Sequence, residues 1–334
     1  MSSPAITIIT RTKNRALLLE RTIKSVLAQT HEDWTHVIVN DGGDPAPVEA
    51  LVARHAGAYA GRLHVIHNPV SVGQGASSNM GIRASQSRYL TILDEADSWS
   101  PYFLETLITE LERRQNRFRS VRGIICHSMV VCERIEEGRI LFDSMHPFND
   151  WMQSSFVDLD RLAQSNSFTP DAFVFEREAA LEIGLFDEGL PVLGDWDFNL
   201  RFCMRYDIAV NSEMLAFHHQ WRVAQSDEGR DVLTMGGAYQ ESRQLLKNRL
   251  LRKDLSNGGL GLLMAQHDQR VAVVKKPDGK GEPSKKRKKK NSQLLRGLRR
   301  FLTGRADTTA TEVLRAFRIS GFKGLRRIFR SIGG

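Results

Sequence analysis

Cysteine is scarce in this chain of 334 residues: Cys126, Cys132 and Cys203 are an odd number and show no C-x-x-C spacing. That excludes a disulfide-stapled scaffold and a cysteine-rich zinc site, and it suits thiols kept reduced in a cytosolic setting. Long apolar runs are missing as well, so no segment reads as a membrane span. Met1-Ser2-Ser3-Pro4 has neither a basic n-region nor an apolar h-region, so no leader is expected and the body of the protein is expected in the cytoplasm. There is no fixed-period repeat, which argues against a solenoid. Nor does a G-x-x-x-x-G-K-[S/T] loop occur anywhere, which removes the P-loop nucleotide hydrolases.

What is present begins with an uneven charge distribution. Hydrophobic residues at 41% and charged ones at 26% are ordinary for a soluble globular protein, and the length is enough for a large α/β domain plus an appendage. Residues 270–334 hold 20 Lys and Arg against 4 Asp and Glu, a net +16, whereas residues 1–269 hold 27 against 35, a net −8. An acidic body therefore precedes a basic tail.

The stretch from Arg88 to Pro101 organises the body. Tyr89 to Leu93 is a short apolar run with a β-branched centre, expected as a buried strand, and it ends in Asp94, Glu95 and Asp97. Ser100 is a suitable N-cap with Pro101 at the first helical position, and Phe103, Leu104, Leu107 and Leu111 follow at helical spacing. In open α/β sheets ligands bind beyond the carboxyl ends of the strands, so these acids should project into the working crevice. Carboxylates crowded there call for a cation between them, and a hard divalent metal carrying substrate phosphates meets that need. Asp94-Glu95-Ala96-Asp97 also spells the motif of the DEAD-box helicases, but the missing phosphate loop removes that reading.

Strands are expected at Ala5–Thr10, Thr35–Asn40, Leu63–His67 and Arg88–Leu93 with helical material between them, a pace that implies a mainly parallel sheet. Asn14 can cap the first helix. Gly73-Gln74-Gly75 opens another, either as an anion site or as a turn that merely needs glycine, and it lacks the third glycine of a dinucleotide fingerprint. Val121–Val131 and Arg139–Phe142 flank Glu136-Glu137-Gly138 as a hairpin, and Gly184 stops a helix through Arg177–Ile183. Residues 231–254 read as an exposed helix, and Val271–Asn291 reads as a Lys-, Gly- and Pro-rich linker.

With those elements in order, residues 5–222 resemble the family 2 glycosyltransferases of the GT-A fold. Four segments carry the resemblance: Ile6–Arg15, Ser25–Gly43 with Val37-Ile38-Val39-Asn40-Asp41, the acid cluster, and Gly184–Arg201. It implies a Rossmann-like, mainly parallel sheet with helices on both faces, extended here by a helical, basic C-terminal segment. It also implies transfer of a sugar from a nucleotide-diphosphate donor, with inversion and with Mn²⁺ or Mg²⁺. Carried over position by position, Thr10, Thr12, Asp41 and Asp94 would bind the nucleoside, Asp97 and His219 the metal, and Asp195 would be the base. Glu95, Trp196, Asp197 and His218 are further candidates, on the acceptor side or without a fixed role. Adjacent histidines on an extended segment point opposite ways, so at most one of His218 and His219 should face the site. The sequence departs from the family pattern at Ala96, which stands where the metal-binding Asp is usual. Either Asp97 or Glu95 substitutes, or metal affinity or catalysis is lost.

The expected organisation is a nucleotide-sugar half at 1–98, an acceptor half at 99–225, a helical extension at 226–270, a basic linker at 271–292 and basic amphipathic helices at 293–334. Leu294, Leu295, Leu298, Phe301 and Leu302 on one face beside arginines suggest attachment to the anionic inner membrane face, where a glycan or glycolipid acceptor would be met. The tail has no Trp or Tyr to stack on bases, so nucleic acid is not the expected partner. The expected function is an inverting transferase of cell-surface polysaccharide assembly. A catalytically inactive nucleotide-sugar-binding scaffold and a nucleic-acid-binding protein are the alternatives.

Overall fold

The computed structural model describes residues 4–150, 152–223 and 236–257. The linker and tail helices expected at 271–334, and parts of the 226–270 extension, lie outside the described residues. Among the described residues no helix is long and apolar enough to cross a membrane.

Stiff β-branched side chains suit a pleated surface, and the first such run, β1 (Ile6–Thr12), is an interior strand of the sheet. It pairs in parallel with β2 (Trp34–Asp41) and with β4 (Tyr89–Ile92), and β2 pairs in parallel with β3 (Leu63–Asn68). The connections are α1 (Ala16–Leu27), α2 (Pro45–Tyr59) and α3 (Gln74–Ala84). Because strand side chains alternate, Ile6 and Ile8 enter one core with α1, α2 and α4 (Phe103–Arg117), while Ile9 and Ile92 enter the other with Ile82 of α3.

Beyond β4 the sheet becomes mixed. Nine strands run in the order β3-β2-β1-β4-β8-β6-β9-β5, with β7 (Arg139–Pro147) attached to β6 (Val121–Glu136). β8 (Phe173–Glu176) is antiparallel to both β4 and β6, β9 (Asp207–Val223) is parallel to β6, and β5 (Ser98–Trp99) is antiparallel to β9. The expected hairpin is β6–β7, turned by Glu137 and Gly138 at φ 48° and 70°, the left-handed pair that suits a two-residue hairpin. On the second face, α5 (Leu159–Gln164), α6 (Arg177–Glu182) and α7 (Gly194–Cys203) surround a ring cluster in which Phe173, Phe175, Phe198 and Phe202 meet edge-on or tilted.

Three local expectations are corrected. Asn14 does not cap α1; it adopts φ 57° and its Oδ1 accepts the Asp44 N–H at 2.8 Å, tying the loop after β1 to the start of α2. α4 starts at Phe103 rather than at Pro101: the Ser100 hydroxyl accepts the Tyr102 N–H at 3.4 Å across the turn ahead of the helix, while its own N–H bonds the Leu215 carbonyl at 2.8 Å. The late helix, α8 (Gly236–Asn257), is not simply exposed: Leu246 and Leu250, four residues apart, are buried in the second core.

Gly42 couples this framework to the crevice. It follows Asp41 at φ +73°, and a Cβ there would collide with the backbone of Val70 and Ser71. Gly42→Ala should destabilise the fold by at least about 1–2 kcal/mol from the left-handed conformation alone. Gly57→Ala, in the open interior of α2 where no atom lies within 4 Å of the added Cβ, should stabilise it by roughly 0.5–1 kcal/mol. Urea unfolding of the two variants checks both signs.

Candidate active site

The carboxyl ends of β1, β2 and β4 open onto a cleft of about 430 Å³ whose walls include Thr12, Asp41, Asp94, Asp97 and His218. That is within the range of small-molecule sites. Cations enter with the acids, since Arg11 near the end of β1 and Lys13 and Arg15 just after it line the same cleft.

Asp41 closes one side. Its carboxylate accepts from Asn68 Nδ2 (3.0 Å), Ser71 Oγ (2.7 Å), the Val72 N–H (2.8 Å) and the Gly73 N–H (3.0 Å). Burial alone would raise its pKa, but these donors hold it down to about 2. Four donors use the accepting capacity of a carboxylate, so Asp41 shapes the Ser71–Gly73 wall. Thr12 lies at the edge of the cleft, whereas Thr10 does not reach it: its hydroxyl is fully buried, 2.9 Å from His36 Nε2.

The acid cluster divides into separate tasks. Asp94 takes a two-pronged contact from Arg11, Nε to Oδ1 at 2.8 Å and a terminal nitrogen to Oδ2 at 2.7 Å. Glu95 pairs with Arg15 and accepts the Lys13 N–H at 2.9 Å. Burial nonetheless pushes its pKa up. Ala96 offers its carbonyl to Arg21 at 2.6 Å, and Arg21 also grips Glu133 at 2.8 and 2.9 Å. Asp97 turns inward, 3% exposed, with Oδ1 accepting the His219 N–H at 2.8 Å and Oδ2 3.2 Å from His218 Nδ1.

A residue that sequence reasoning did not single out completes the cluster. Asp171, in the 3-10 turn Pro170–Ala172 ahead of β8, brings a carboxylate to Asp97 and His218, with ligand atoms of all three within 4.8 Å of one another. It is 0% exposed and neither oxygen has a hydrogen-bond partner. Its backbone is pinned by Trp99, whose Nε1 donates to the Asp171 carbonyl at 2.6 Å while the indole stacks on Phe103. Burial and the charge of Asp97 raise Asp171 to about 7, whereas His218 holds Asp97 below the usual carboxylate range against its burial. Burial would depress His218, but Asp97 and Asp171 lift it to about 10. No hydrophobic period or motif marks the Asp in Thr169-Pro170-Asp171; only its unpartnered burial identifies it.

The histidine pair is split as expected, but the partner at the cluster is His218, not His219. His219 turns into the core, with Nε2 2.9 Å from Ser98 Oγ and Nδ1 3.1 Å from Glu133 Oε1, off the line that a hydrogen bond needs. Burial lowers its pKa.

The late acids of α7 also diverge. Asp195, in its first turn, accepts from Asn166 Nδ2 at 2.8 Å and is near enough to Arg11 and Asp94 to feel both charges, though burial dominates and raises its pKa. Trp196 is fully buried and donates Nε1 to the Leu162 carbonyl at 2.7 Å, so it is core. Asp197 faces away, locked to Arg201 at 2.7 Å and Arg249 at 2.5 Å. Asp41, Asp94 and Asp97 therefore share one cleft, with Asp195 beside it and Asp197 outside it.

Comparison with known proteins agrees with this geometry. The model of the family described as Glycosyl transferase family 2 matches residues 7–122. A protein of Escherichia coli named for colanic acid biosynthesis, the glycosyl transferase WcaA, is 25% identical over 206 residues, covering 61% of this chain and 68% of that protein. Among solved structures, Staphylococcus aureus TarS 1–349 in complex with UDP-GlcNAc superposes with a TM-score of 0.56 at 14% identity, over 98% of this chain and 91% of that one. The Pyrobaculum calidifontis mannosyltransferase PcManGT, in complex with GDP-Man and Mn²⁺, gives 0.54 at 14% identity, over 96% and 88%. Residues 7–122 are thus similar to family 2 glycosyltransferases in sequence, and the chain as described shares the GT-A fold of these solved structures.

Proposed function

We propose that the protein transfers a sugar, with inversion, from a nucleoside-diphosphate donor to a hydroxyl of a surface glycan or glycolipid. The observation that carries this reading is that Asp97 and His218, in the wall of the cleft that also holds Arg11, Lys13 and Arg15, are joined from behind by the buried, unpartnered Asp171. Two carboxylates and an imidazole suit Mn²⁺ or Mg²⁺, and a buried carboxylate without a donor is a group that a cation would satisfy. Those three residues would hold the ion in place of the carboxylate absent at Ala96. When bound, such an ion supplies Lewis-acid stabilisation of charge on the departing diphosphate.

The chain's own side chains account for the remaining steps. The nucleoside rests against Thr12 and the wall shaped by Asp41, and Arg11, Lys13 and Arg15 attract the diphosphate. Asp195 takes the proton of the acceptor hydroxyl as its oxygen bonds to the anomeric carbon, while the bond from that carbon to the diphosphate oxygen breaks on the opposite face. Raised by burial yet near Arg11, Asp195 is a base whose strength exceeds that of a surface aspartate. The tail, net +16 over residues 270–334, would hold the enzyme at an anionic membrane where a lipid-linked acceptor is met.

Calorimetry of Mn²⁺ with UDP-GlcNAc and with GDP-Man tests the cation site. Asp97→Ala should abolish the Mn²⁺-dependent part of nucleotide-sugar binding. Near pH 7, binding of Mn²⁺ should also release one proton from His218, protonated below about 10, and part of another from Asp171, raised to about 7, because both must be deprotonated to ligate; affinity should therefore rise with pH, and heats should vary with the ionisation enthalpy of the buffer. Asp195→Asn should lower transfer, measured as donor cleavage by water or an acceptor, by about 10²–10⁴-fold with donor binding kept. Donor binding with no cleavage in the unsubstituted chain would instead favour the inactive-scaffold reading that Ala96 raises. Deleting residues 271–334 should release the protein from anionic vesicles at low salt; unchanged partitioning counts against the membrane role.

A further inference from the structure

We infer that Asn166 is a positioning residue that orients Asp195 through a two-amide relay and holds its carboxylate in the ionised form. The inference rests on Asp195 being the base proposed above.

Asp195 and Asn199 lie four residues apart on α7, hence on one face of the helix. Asn166, two residues beyond the end of α5, spans them. Its Nδ2 donates to Asp195 Oδ2 at 2.8 Å, and its Oδ1 accepts from Asn199 Nδ2 at 3.1 Å. An ionised carboxylate only accepts, so Asn166 must turn its NH₂ to Asp195 and its carbonyl to Asn199. Asn199 is 3% exposed, in a helix flanked by the buried Phe198 and Leu200, so the far end of the relay is anchored in the core. The direction of both amides is thus set by the charge on Asp195.

This arrangement decides more than orientation. The bond from Asn166 also bears on the basicity of the carboxylate. The groups facing Asp195 are few: Arg11 from β1, Asp94 after β4, and the N–H groups of its own helical turn. Arg11 is already engaged by Asp94. Asn166 is therefore the one side-chain donor that the described residues give to the Asp195 carboxylate. A donor of this kind favours the anion, so it limits how far burial can raise the base and keeps it ionised near neutral pH.

A carboxyl titration by NMR reads the relay directly, using the full chain with ¹³C-labelled aspartate and the Asp195 signal assigned by its loss in Asp195→Asn. Asn166→Ala should move the Asp195 midpoint up by about one pH unit or more, and Asn199→Ala should move it less, in the same direction. Should Asn166→Ala not fold, Asn199→Ala carries the measurement. In parallel, cleavage of UDP-GlcNAc by water with Mn²⁺ should lose rate at neutral pH in Asn166→Ala and regain it at alkaline pH, with the donor KM unchanged. A merely structural role would lower the rate equally at every pH. Unmoved midpoints in both variants overturn the relay, even if Asp195→Asn is inactive. Full cleavage by Asp195→Asn would instead remove the base assignment and leave the titration as a statement about orientation alone.

Discussion

Two carboxylates buried side by side are the constraint on which the site depends. Asp97 and Asp171 are each almost wholly removed from water, and like charges so placed are tolerated only with positive charge between them. Without a cation that charge comes from His218, lifted to about 10 by the pair. A divalent ion held by the proposed ligands would have to displace the His218 proton, taking over the positive charge that the two carboxylates call for. The ordering of loops around the cluster follows from the same need, since Trp99, His219 and Thr22 each donate to a group of the Asp97 or Asp171 backbone or side chain.

The cleft around that centre is assembled from arginine–carboxylate pairs that reach across the chain. Arg11 meets Asp94, Arg15 meets Glu95, and Arg21 meets Glu133, joining the end of β1 and the α1 connection to segments 80 to 112 residues away. Arg11 and Asp94 meet through two parallel bonds, so that contact fixes direction as well as distance. Asp94 and Glu95 thereby neutralise two of the cations that line the cleft. An anionic ligand of the kind proposed would meet groups already oriented, which lowers the cost of ordering flexible side chains at binding.

The parallel half of the fold was legible because its signals are local. β-branched runs ending in Asp41 and Asp94 marked the strand ends, glycine at 138 and 184 marked a turn and a stop, and strand order placed the acids at the carboxyl edge. Expectations failed where a tertiary contact outweighed a local preference. Asn14 could cap α1 but serves Asp44. The expected mainly parallel sheet holds for β3-β2-β1-β4, and the strands beyond are mixed because β8 returns antiparallel between β4 and β6.

The parts of the site that escaped the sequence share a physical reason. Asp171 and Asn166 lie in a segment of irregular backbone, 165–172, where no period exists to say which side chains turn inward. Their roles are defined by what they lack or bridge in three dimensions: Asp171 by burial without a donor, Asn166 by spanning one turn of α7. The histidines illustrate the boundary between the two kinds of information. Alternation on an extended strand requires that His218 and His219 diverge, but the sequence is symmetric between them. Glu133, brought beside β9 by β6, breaks the symmetry by drawing His219 toward the core. His218 is left to face Asp97 and Asp171, and so the ligand set depends on a residue more than 80 positions away from the histidine it displaces.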